Sequence, residues 1–215
     1  MNVKLLNFTP LEVADIAICK CYGNEPHSDN EKVKARINRV ANVSKHASTI
    51  EHLSYSFDID GISRACLQEL ARHRIASYTV KSSRYTLQEL KKERTIKVND
   101  LFEPEYDLYA SSNWNIAKKY IVSSDWYEVD LASTKALGEL QSLIDDGIPN
   151  DRAKYCMPEA YKTSLVMTIN ARSLQNFLEL RSSKHALWEI QYLAKAMYDA
   201  IPEEHKFLYE SIYGS

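Results

Sequence analysis

The chain has 215 residues, with 27 Lys and Arg against 29 Asp and Glu, so its formal net charge is only -2. This balance excludes a protein that binds nucleic acid or anionic lipid through its overall charge, and any basic site must be local. The five glycines are too far apart to form G-x-G-x-x-G or G-x-x-x-x-G-K-[ST], which excludes Rossmann dinucleotide binding and P-loop chemistry.

The apolar runs and the cysteines limit the class of protein further. No apolar run approaches the ~18 residues that a membrane span requires, and residues 1–8 lack the pattern of a signal peptide. The four cysteines are too few and too scattered for a disulfide framework, and the single C-x-C has no matching second pair. We therefore expect a soluble cytoplasmic protein without a metal site.

The first helix is predicted from its N-terminal residues. Thr9-Pro10-Leu11-Glu12 has the pattern of a capping box with proline at the first helical position. It predicts a helix that runs from this point to about Tyr22. The elements around it are predicted as a strand at 3–8, a polar loop at 23–30 and a helix at 31–43.

The clearest strand covers residues 53–60, where apolar and polar side chains alternate. Gly61 is expected to end this strand, and Ser63 to cap a helix that continues to Arg72-His73-Arg74. The remaining elements, in chain order, are a segment unsuited to a long helix at 75–85, a loop at 92–103, helices at 105–121 and 126–146, a strand at 164–169, and helices at 171–180, 186–200 and 203–212. Without repeats or linkers, this order predicts one α+β domain over 1–215, with an antiparallel or mixed sheet and a majority of helices.

A basic segment, RHRIASYTVKSSR, begins at Arg72. It holds four fixed positive charges and three serines, and no acidic residue. The guanidinium group of arginine binds phosphate through two parallel hydrogen bonds, and serine hydroxyls can add further ones, so the segment predicts an anion site. Arg74 continues the apolar stripe of the preceding helix, and we expect its side chain to point inward and to be paired. The alternative is a solvated basic turn.

A second polar segment, NARSLQNFLELRSSKH, begins at Asn170 where a predicted strand turns into a helix. Arg172 and Asn176 are four residues apart and share one helical face, while Arg181 ends an apolar stripe on another. A cation in a semi-dry pocket stabilises negative charge that develops on a substrate. The alternative for Arg181 is a side chain whose aliphatic part packs on the core while its guanidinium group reaches water.

A weaker group, His46, Ser48, Glu51 and His52, precedes the strand at 53–60. The two histidines are six residues apart and H-E-x-x-H is absent, so we expect ordinary hydrogen bonding here rather than a metal site.

Together these residues resemble a known family. RHR followed by seven residues, a serine and then Arg84 is similar to the signature of the flavin-dependent thymidylate synthases (ThyX), and the segment from Asn170 to His185 is similar to their second motif. The resemblance extends over nearly the whole chain except 90–145. The matching minor features are Glu51-His52 set after His46, Gly-x-Pro at 147–149 and Met157-Pro158.

This resemblance implies a homotetramer with active sites at subunit interfaces. Each site would bind FAD and convert dUMP to dTMP, with 5,10-methylenetetrahydrofolate as carbon donor and NADPH as reductant. No nucleic acid and no membrane would be partners.

The resemblance also implies roles for individual residues. Arg181 would be catalytic, because it matches the position that favours ionisation of the uracil ring. The residues expected at FAD are His46, Ser48, Arg72, His73, Arg74, Asn170, Arg172, Asn176 and His185. The residues expected at dUMP are Glu69, Arg72, Ser82, Ser83, Arg84, Lys154 and Arg181. The chain departs from the family's common pattern at Val80 and Lys81, and at Lys154, where an arginine is usual.

Two other classes stay open from the residues alone. A nucleic-acid binding module would use the cations of the basic segment, with Tyr78 and Tyr85 as stacking partners. A structural α+β protein would carry the same charges on its surface.

Overall fold

The computed structural model describes residues 1–213; Gly214 and Ser215, which the predicted domain includes, lie outside the described part. The protein is 58% helical and has a four-stranded antiparallel sheet, which confirms the predicted α+β class. The chain forms two compact units. The first comprises Met1–Asp60, Gln68–Thr79 and the chain from Leu165, and the second comprises Gly61–Leu67 and Val80–Ser164. A single domain over 1–215 stays a prediction.

The sheet has the strand order β1-β2-β4-β3. Its strands are β1 (Asn2–Phe8), β2 (Ser54–Ser63), β3 (Ala76–Val80) and β4 (Lys162–Asn170). β1 pairs antiparallel with β2, from Asn2 opposite Asp60 to Phe8 opposite Tyr55.

Ten α-helices lie in the described residues. They are α1 (Glu12–Tyr22), α2 (Asn30–Ile37), α3 (Arg64–Leu70), α4 (Ser83–Thr86), α5 (Ser112–Tyr120), α6 (Tyr127–Asp145), α7 (Asn150–Ala153), α8 (Ala171–Arg181), α9 (Trp188–Ala200) and α10 (Glu210–Tyr213). A π-helical turn at Asn38–Val43 completes the helix predicted over 31–43. Further 3-10 turns lie at Ala47–His52, Leu87–Lys92, Val98–Phe102, Lys154–Cys156 and Glu203–Tyr209.

β2 confirms the alternation in the sequence, because Tyr55, Phe57 and Ile59 are completely buried. The prediction that Gly61 ends this strand is wrong. Gly61 adopts φ +74°, a conformation that costs glycine little, and the strand continues to Ser63. The predicted helix cap is confirmed, since the hydroxyl of Ser63 accepts a hydrogen bond from the Cys66 N–H at 3.0 Å.

The predicted capping box at the start of α1 is wrong. The backbone N–H of Thr9 donates to the Ser54 carbonyl at 2.9 Å, and the Thr9 hydroxyl accepts from the Ser54 N–H at 3.2 Å. Because the hydroxyl is engaged with β2, it does not cap the helix, and α1 begins only at Glu12.

The core of the first unit lies where α9 packs against β1 and α8. α8 contributes three completely buried side chains, Leu174, Phe177 and Leu178. This burial fixes which face of α8 points away from the core, and therefore which residues are available for a site.

The second unit is built around α6, whose buried residues include Leu137, Leu140 and Ile144. The helix predicted at 105–121 is shorter than expected. The Ser111 hydroxyl accepts from the Trp114 N–H at 3.0 Å and caps α5, so that only turns precede it. None of the helices formed by residues 1–213 combines the length and apolarity that a membrane crossing requires.

Candidate active site

The RHR segment forms a tight turn after α3. The hydroxyl of Tyr78 donates to the carbonyl of His73 at 2.7 Å and lies 3.1 Å from the carbonyl of Leu70. Burial raises the pKa of Tyr78 to about 12, so the hydroxyl keeps its proton and remains a donor. Tyr78 therefore holds the shape of this turn, which is a different role from the stacking considered above.

The predicted inward direction of Arg74 is wrong. α3 ends at Leu70, so the helical period does not continue to residue 74, and the Arg74 side chain is exposed. It lines a cavity instead of entering the core.

α8 supplies the opposite wall of the same site. The side chain of Asn170 accepts a hydrogen bond from the Ser173 N–H at 2.8 Å and caps the helix, as a residue at the strand-to-helix junction should. Arg172 and Asn176, which share the face predicted from their spacing, both line the cavity. The N-terminus of the eleven-residue helix α8 and the guanidinium of Arg172 thus both face this cavity.

Arg181 is held at three of its nitrogen atoms. Its Nε donates to His73 Nε2 at 2.9 Å, Nη1 donates to Glu69 Oε2 at 2.8 Å, and Nη2 donates to the Glu69 carbonyl at 3.1 Å. The Arg181 side chain is only 14% exposed. The alternative of an arginine head that reaches freely into water is therefore wrong, and the guanidinium is fixed beside the cavity.

The contact with Arg181 determines the protonation of His73. Nε2 accepts a hydrogen bond, so the ring is neutral and carries its proton on Nδ1. Burial and then the nearby charges of Arg181 and Arg72 lower the pKa of His73, against a smaller opposing effect of Glu69. The ring packs edge-to-face on Phe177, with 4.9 Å between centroids. His73 is thus a neutral hydrogen-bonding group and not an additional cation.

These elements enclose a cavity of about 760 Å³ in the first unit. Four arginines and one glutamate line it, so its charge is strongly positive in a chain that is slightly negative overall. The lining residues are Glu51, Arg72, His73, Arg74, Ile75, Asn170, Arg172, Ser173, Asn176, Leu180 and Arg181. A cavity of this size and charge suits a large anionic ligand.

Four of these lining residues are additional to the predicted site: Glu51, Ile75, Ser173 and Leu180. Leu180 follows Arg172 and Asn176 at a spacing of four, so the helical period would have identified it. Glu51 pairs with Arg172 at 2.5 Å across 121 residues of sequence, a pairing that no local pattern indicates.

Three residues expected near FAD lie outside this cavity wall. His46 and Ser48 are exposed at the start of the 3-10 turn that carries Glu51, and His185 is exposed between α8 and α9. Their role at FAD stays a prediction.

Four of the residues expected at dUMP belong to the second unit. Ser82 precedes α4, Ser83 and Arg84 lie within it, and Lys154 follows α7. Asn150 joins the two segments, because its amide nitrogen donates to the Arg84 carbonyl at 2.7 Å. The structure thus brings the serine segment and Lys154 into one region of this unit.

Two of the departures from the family pattern lie next to this region. Lys81 forms an exposed ion pair with Glu89 at 3.0 Å, and Val80 ends β3. Lys81 thus has an acidic partner of its own, and the side chain of Val80 has no polar group to offer a ligand.

The cysteines do not contribute to the cavity wall. Cys66 is buried, whereas Cys156 is exposed. Its position in a short 3-10 turn leaves its side chain outside the core.

Comparison with known proteins places the chain in a family. The family model described as "Thymidylate synthase complementing protein" matches residues 4–205. A protein of Wolinella succinogenes named flavin-dependent thymidylate synthase is 54% identical over 211 residues, which cover 97% of each chain. A similarly named protein of Campylobacter jejuni is 52% identical, over 98% of this chain and 96% of its own length.

A solved structure gives the same result. The crystal structure of flavin-dependent thymidylate synthase ThyX from Helicobacter pylori, complexed with FAD and dUMP, superimposes with a TM-score of 0.89 at 48% identity and covers 99% of both chains. The chain therefore belongs to the thymidylate synthase complementing protein family, the flavin-dependent thymidylate synthases.

Proposed function

We infer that the cavity of the first unit is the FAD site of this enzyme. Its donor set fits the cofactor: the guanidinium groups of Arg72, Arg74 and Arg172, with the N-terminus of α8, suit a pyrophosphate. His73 and Asn176 add hydrogen-bonding groups beside the apolar side chains that a planar ring system needs. The side-chain oxygen Oδ1 of Asn170 accepts the helix-capping hydrogen bond, which leaves the side-chain NH₂ group for a ligand.

The second unit supplies the residues proposed for the dUMP phosphate. Ser82, Ser83 and Arg84 offer two hydroxyls and a guanidinium. Lys154 offers an ammonium group at a position where the bidentate guanidinium of an arginine is usual. Glu69, Arg72 and Arg181 complete the set proposed for the nucleotide.

Arg181 is the residue that we propose to act on the uracil ring. Three of its N–H groups are engaged, and its terminal nitrogens each retain one N–H without a hydrogen-bonded partner among residues 1–213. These two groups would stabilise negative charge on the ring oxygens as C5 becomes nucleophilic. Because the guanidinium is held in place in advance, little reorganisation is needed when the charge develops.

The reaction balances without a nucleophilic side chain. In net terms, one dUMP, one methylenetetrahydrofolate, one NADPH and one proton give dTMP, tetrahydrofolate and NADP⁺. The hydrogen at uracil C5 is released as a proton, and the two nitrogens freed on tetrahydrofolate take up two protons, so the net uptake is one. When bound, FAD supplies the hydride transfer that links NADPH to the nucleotide. The protein's contribution is to bind both ligands, orient them and stabilise charge.

We also propose the homotetramer, with interfacial active sites, in the cytoplasm. In the first unit, Trp188 and Tyr192 are 43% and 66% exposed. Their rings contact each other edge-to-face with centroids 5.9 Å apart, on one face of α9. Exposed aromatic side chains in contact with each other are typical of an interface. Dispersity and mass by light scattering would test the assembly.

The observation that carries this proposal is the fixed Arg181 beside a cavity lined with four arginines. The test is tritium release from [5-³H]dUMP by the purified flavoprotein, with folate and NADPH each omitted in controls. We expect release and dTMP formation in equal amounts, dependent on both co-substrates. A folded flavoprotein that releases no tritium would contradict the proposed function.

A further inference from the structure

The two segments of the second unit proposed for the dUMP phosphate are built on very short helices. α4 (Ser83–Thr86) and α7 (Asn150–Ala153) have four residues each. A helix of one turn has little stability without tertiary contacts. The side chain of Ser82 makes no capping bond to α4, which leaves its hydroxyl for a ligand. The arrangement of these groups therefore depends on the contacts that α4 and α7 make with each other and with the core.

A shared core holds the two segments together. Leu87 and Leu90, in the turn that follows α4, are completely buried, and Ala153 at the end of α7 is 1% exposed. All three side chains belong to one apolar cluster. Because apolar contacts are not directional, this cluster keeps the segments close without fixing the orientation of either one.

Asn150 supplies the directional contacts. Its Nδ2 donates to the Arg84 carbonyl at 2.7 Å, and its Oδ1 accepts from Gln88 Nε2 at 2.7 Å. One side-chain amide, on the first residue of α7, thus binds both α4 and the turn that follows it. Lys154 directly follows α7. The same amide therefore links the segment that carries the ammonium of Lys154 to the segment that carries the guanidinium of Arg84.

We propose that Asn150 is a positioning residue for the phosphate subsite, which keeps Arg84 and Lys154 in a fixed arrangement for one phosphate group. This inference rests on the proposed function and deepens it, since it gives the subsite a residue that organises its cations. Both contacts of Asn150 are made with neutral groups, a backbone carbonyl and a side-chain amide. Its contribution is therefore to orient the charged side chains and not to add to their charge.

Asn150→Ala tests the proposal with one ligand that has the phosphate and one that lacks it. The dissociation constant of dUMP is expected to rise by about 3- to 10-fold, the range for loss of a neutral hydrogen bond, while that of deoxyuridine changes by less than about 2-fold. Both constants are measured by equilibrium dialysis on the flavoprotein. In steady-state assays, KM for dUMP should rise by a similar factor while kcat changes less.

Gln88→Ala is the matched control. It removes a side-chain amide that binds Asn150 at the same distance, 2.7 Å, but it leaves the bond to the Arg84 carbonyl in place. Its effect on dUMP binding should therefore be smaller than that of Asn150→Ala. Should Asn150→Ala not fold, Asn150→Ser serves instead, because its hydroxyl ends one bond short of the Nδ2 position and cannot make the same contact.

An Arg84→Ala background separates positioning from direct binding. This change keeps the carbonyl that Asn150 binds but removes the guanidinium, so the effect of Asn150→Ala on dUMP binding should shrink there. Equal effects in both backgrounds would make Asn150 a direct ligand of the phosphate, and equal losses for dUMP and deoxyuridine would make its role purely structural. Either result overturns the proposal while the proposed function stands. A parent flavoprotein that releases no tritium from dUMP contradicts the proposed function itself, and this inference falls with it.

Discussion

The guanidinium of Arg181 makes contacts that a lysine ammonium cannot reproduce, so we expect Arg181→Lys to slow the chemical step. The ammonium retains the ion pair with Glu69 but loses the bonds from Nε to His73 and from Nη2 to the Glu69 carbonyl. The two N–H groups proposed for the uracil ring are lost with them. Nucleotide affinity is therefore expected to fall less than the rate.

The structure sets the size of this effect. Each hydrogen bond to a charged group contributes about 1.5–3 kcal/mol. Arg181 is 14% exposed, so little water is available to replace the missing donors. Loss of one preorganised donor lowers kcat by about 10² to 10³. Because the interaction belongs mainly to the transition state, kcat and kcat/KM should fall by similar factors.

The assay is steady-state tritium release, with flavin content and NADPH-dependent flavin reduction measured on the same preparations. Flavin reduction without nucleotide should stay near the parental rate, because the role proposed for Arg181 concerns the uracil ring. Arg172→Lys is the control, since it alters a cavity arginine at the other end of α8 and should mainly weaken FAD binding. Parental turnover in Arg181→Lys, or a defect limited to lost FAD, would refute the reasoning.

Arg74→Ala should weaken FAD binding by only about 3- to 10-fold in equilibrium dialysis, because an exposed charge contributes about 1 kcal/mol; an unchanged dissociation constant would remove Arg74 from the site. Replacing all four cysteines should leave dTMP formation intact in a folded variant, since none lines the cavity; complete loss of activity with FAD bound would instead indicate a thiolate mechanism. Gly138→Ala should lower the free energy of unfolding by about 1–3 kcal/mol in urea titrations, because the new Cβ would lie 2.5 Å from a methyl group of Val98. A stabilised variant would mean that helix propensity outweighs this overlap. His205 is completely buried and burial lowers its pKa to about 4, so the unfolded chain binds its proton first as the pH falls below 6.5. Unfolding free energy should therefore drop by about 2 kcal/mol between pH 7 and pH 5, and His205→Asn should lose that part of the slope.

Local patterns were sufficient for elements whose stability comes from their own periodicity. The alternation in β2 places Tyr55, Phe57 and Ile59 in the core because successive strand side chains point to opposite faces. The same holds for α8, whose helical period separates buried leucines from Arg172 and Asn176. Several motifs in order were also enough to identify the family, since spacing along the chain is preserved when the fold is.

Hydrogen bonds with residues outside the predicted helix overruled the local pattern at two points. The Thr9 hydroxyl resembles a helix cap in sequence, but β2 offers it the Ser54 N–H. The apolar stripe continues to Arg74 in the sequence, yet the hydroxyl of Tyr78 binds the carbonyls of Leu70, where α3 ends, and of His73, and the chain leaves the helix. A side chain binds the partner that the fold brings close, and sequence distance does not reveal that partner.

The sequence by itself determined which chemical groups this protein has for a phosphate, a flavin and a uracil ring, and the family in which they are used together. Only the tertiary structure decided how those groups act on one another. Glu69 and Arg181 are 112 residues apart in the chain and meet at 2.8 Å, and their contact sets the direction of Nε and hence the neutral state of His73. Charge and tautomer depend on distances of a few ångströms between groups, and folding alone establishes those distances.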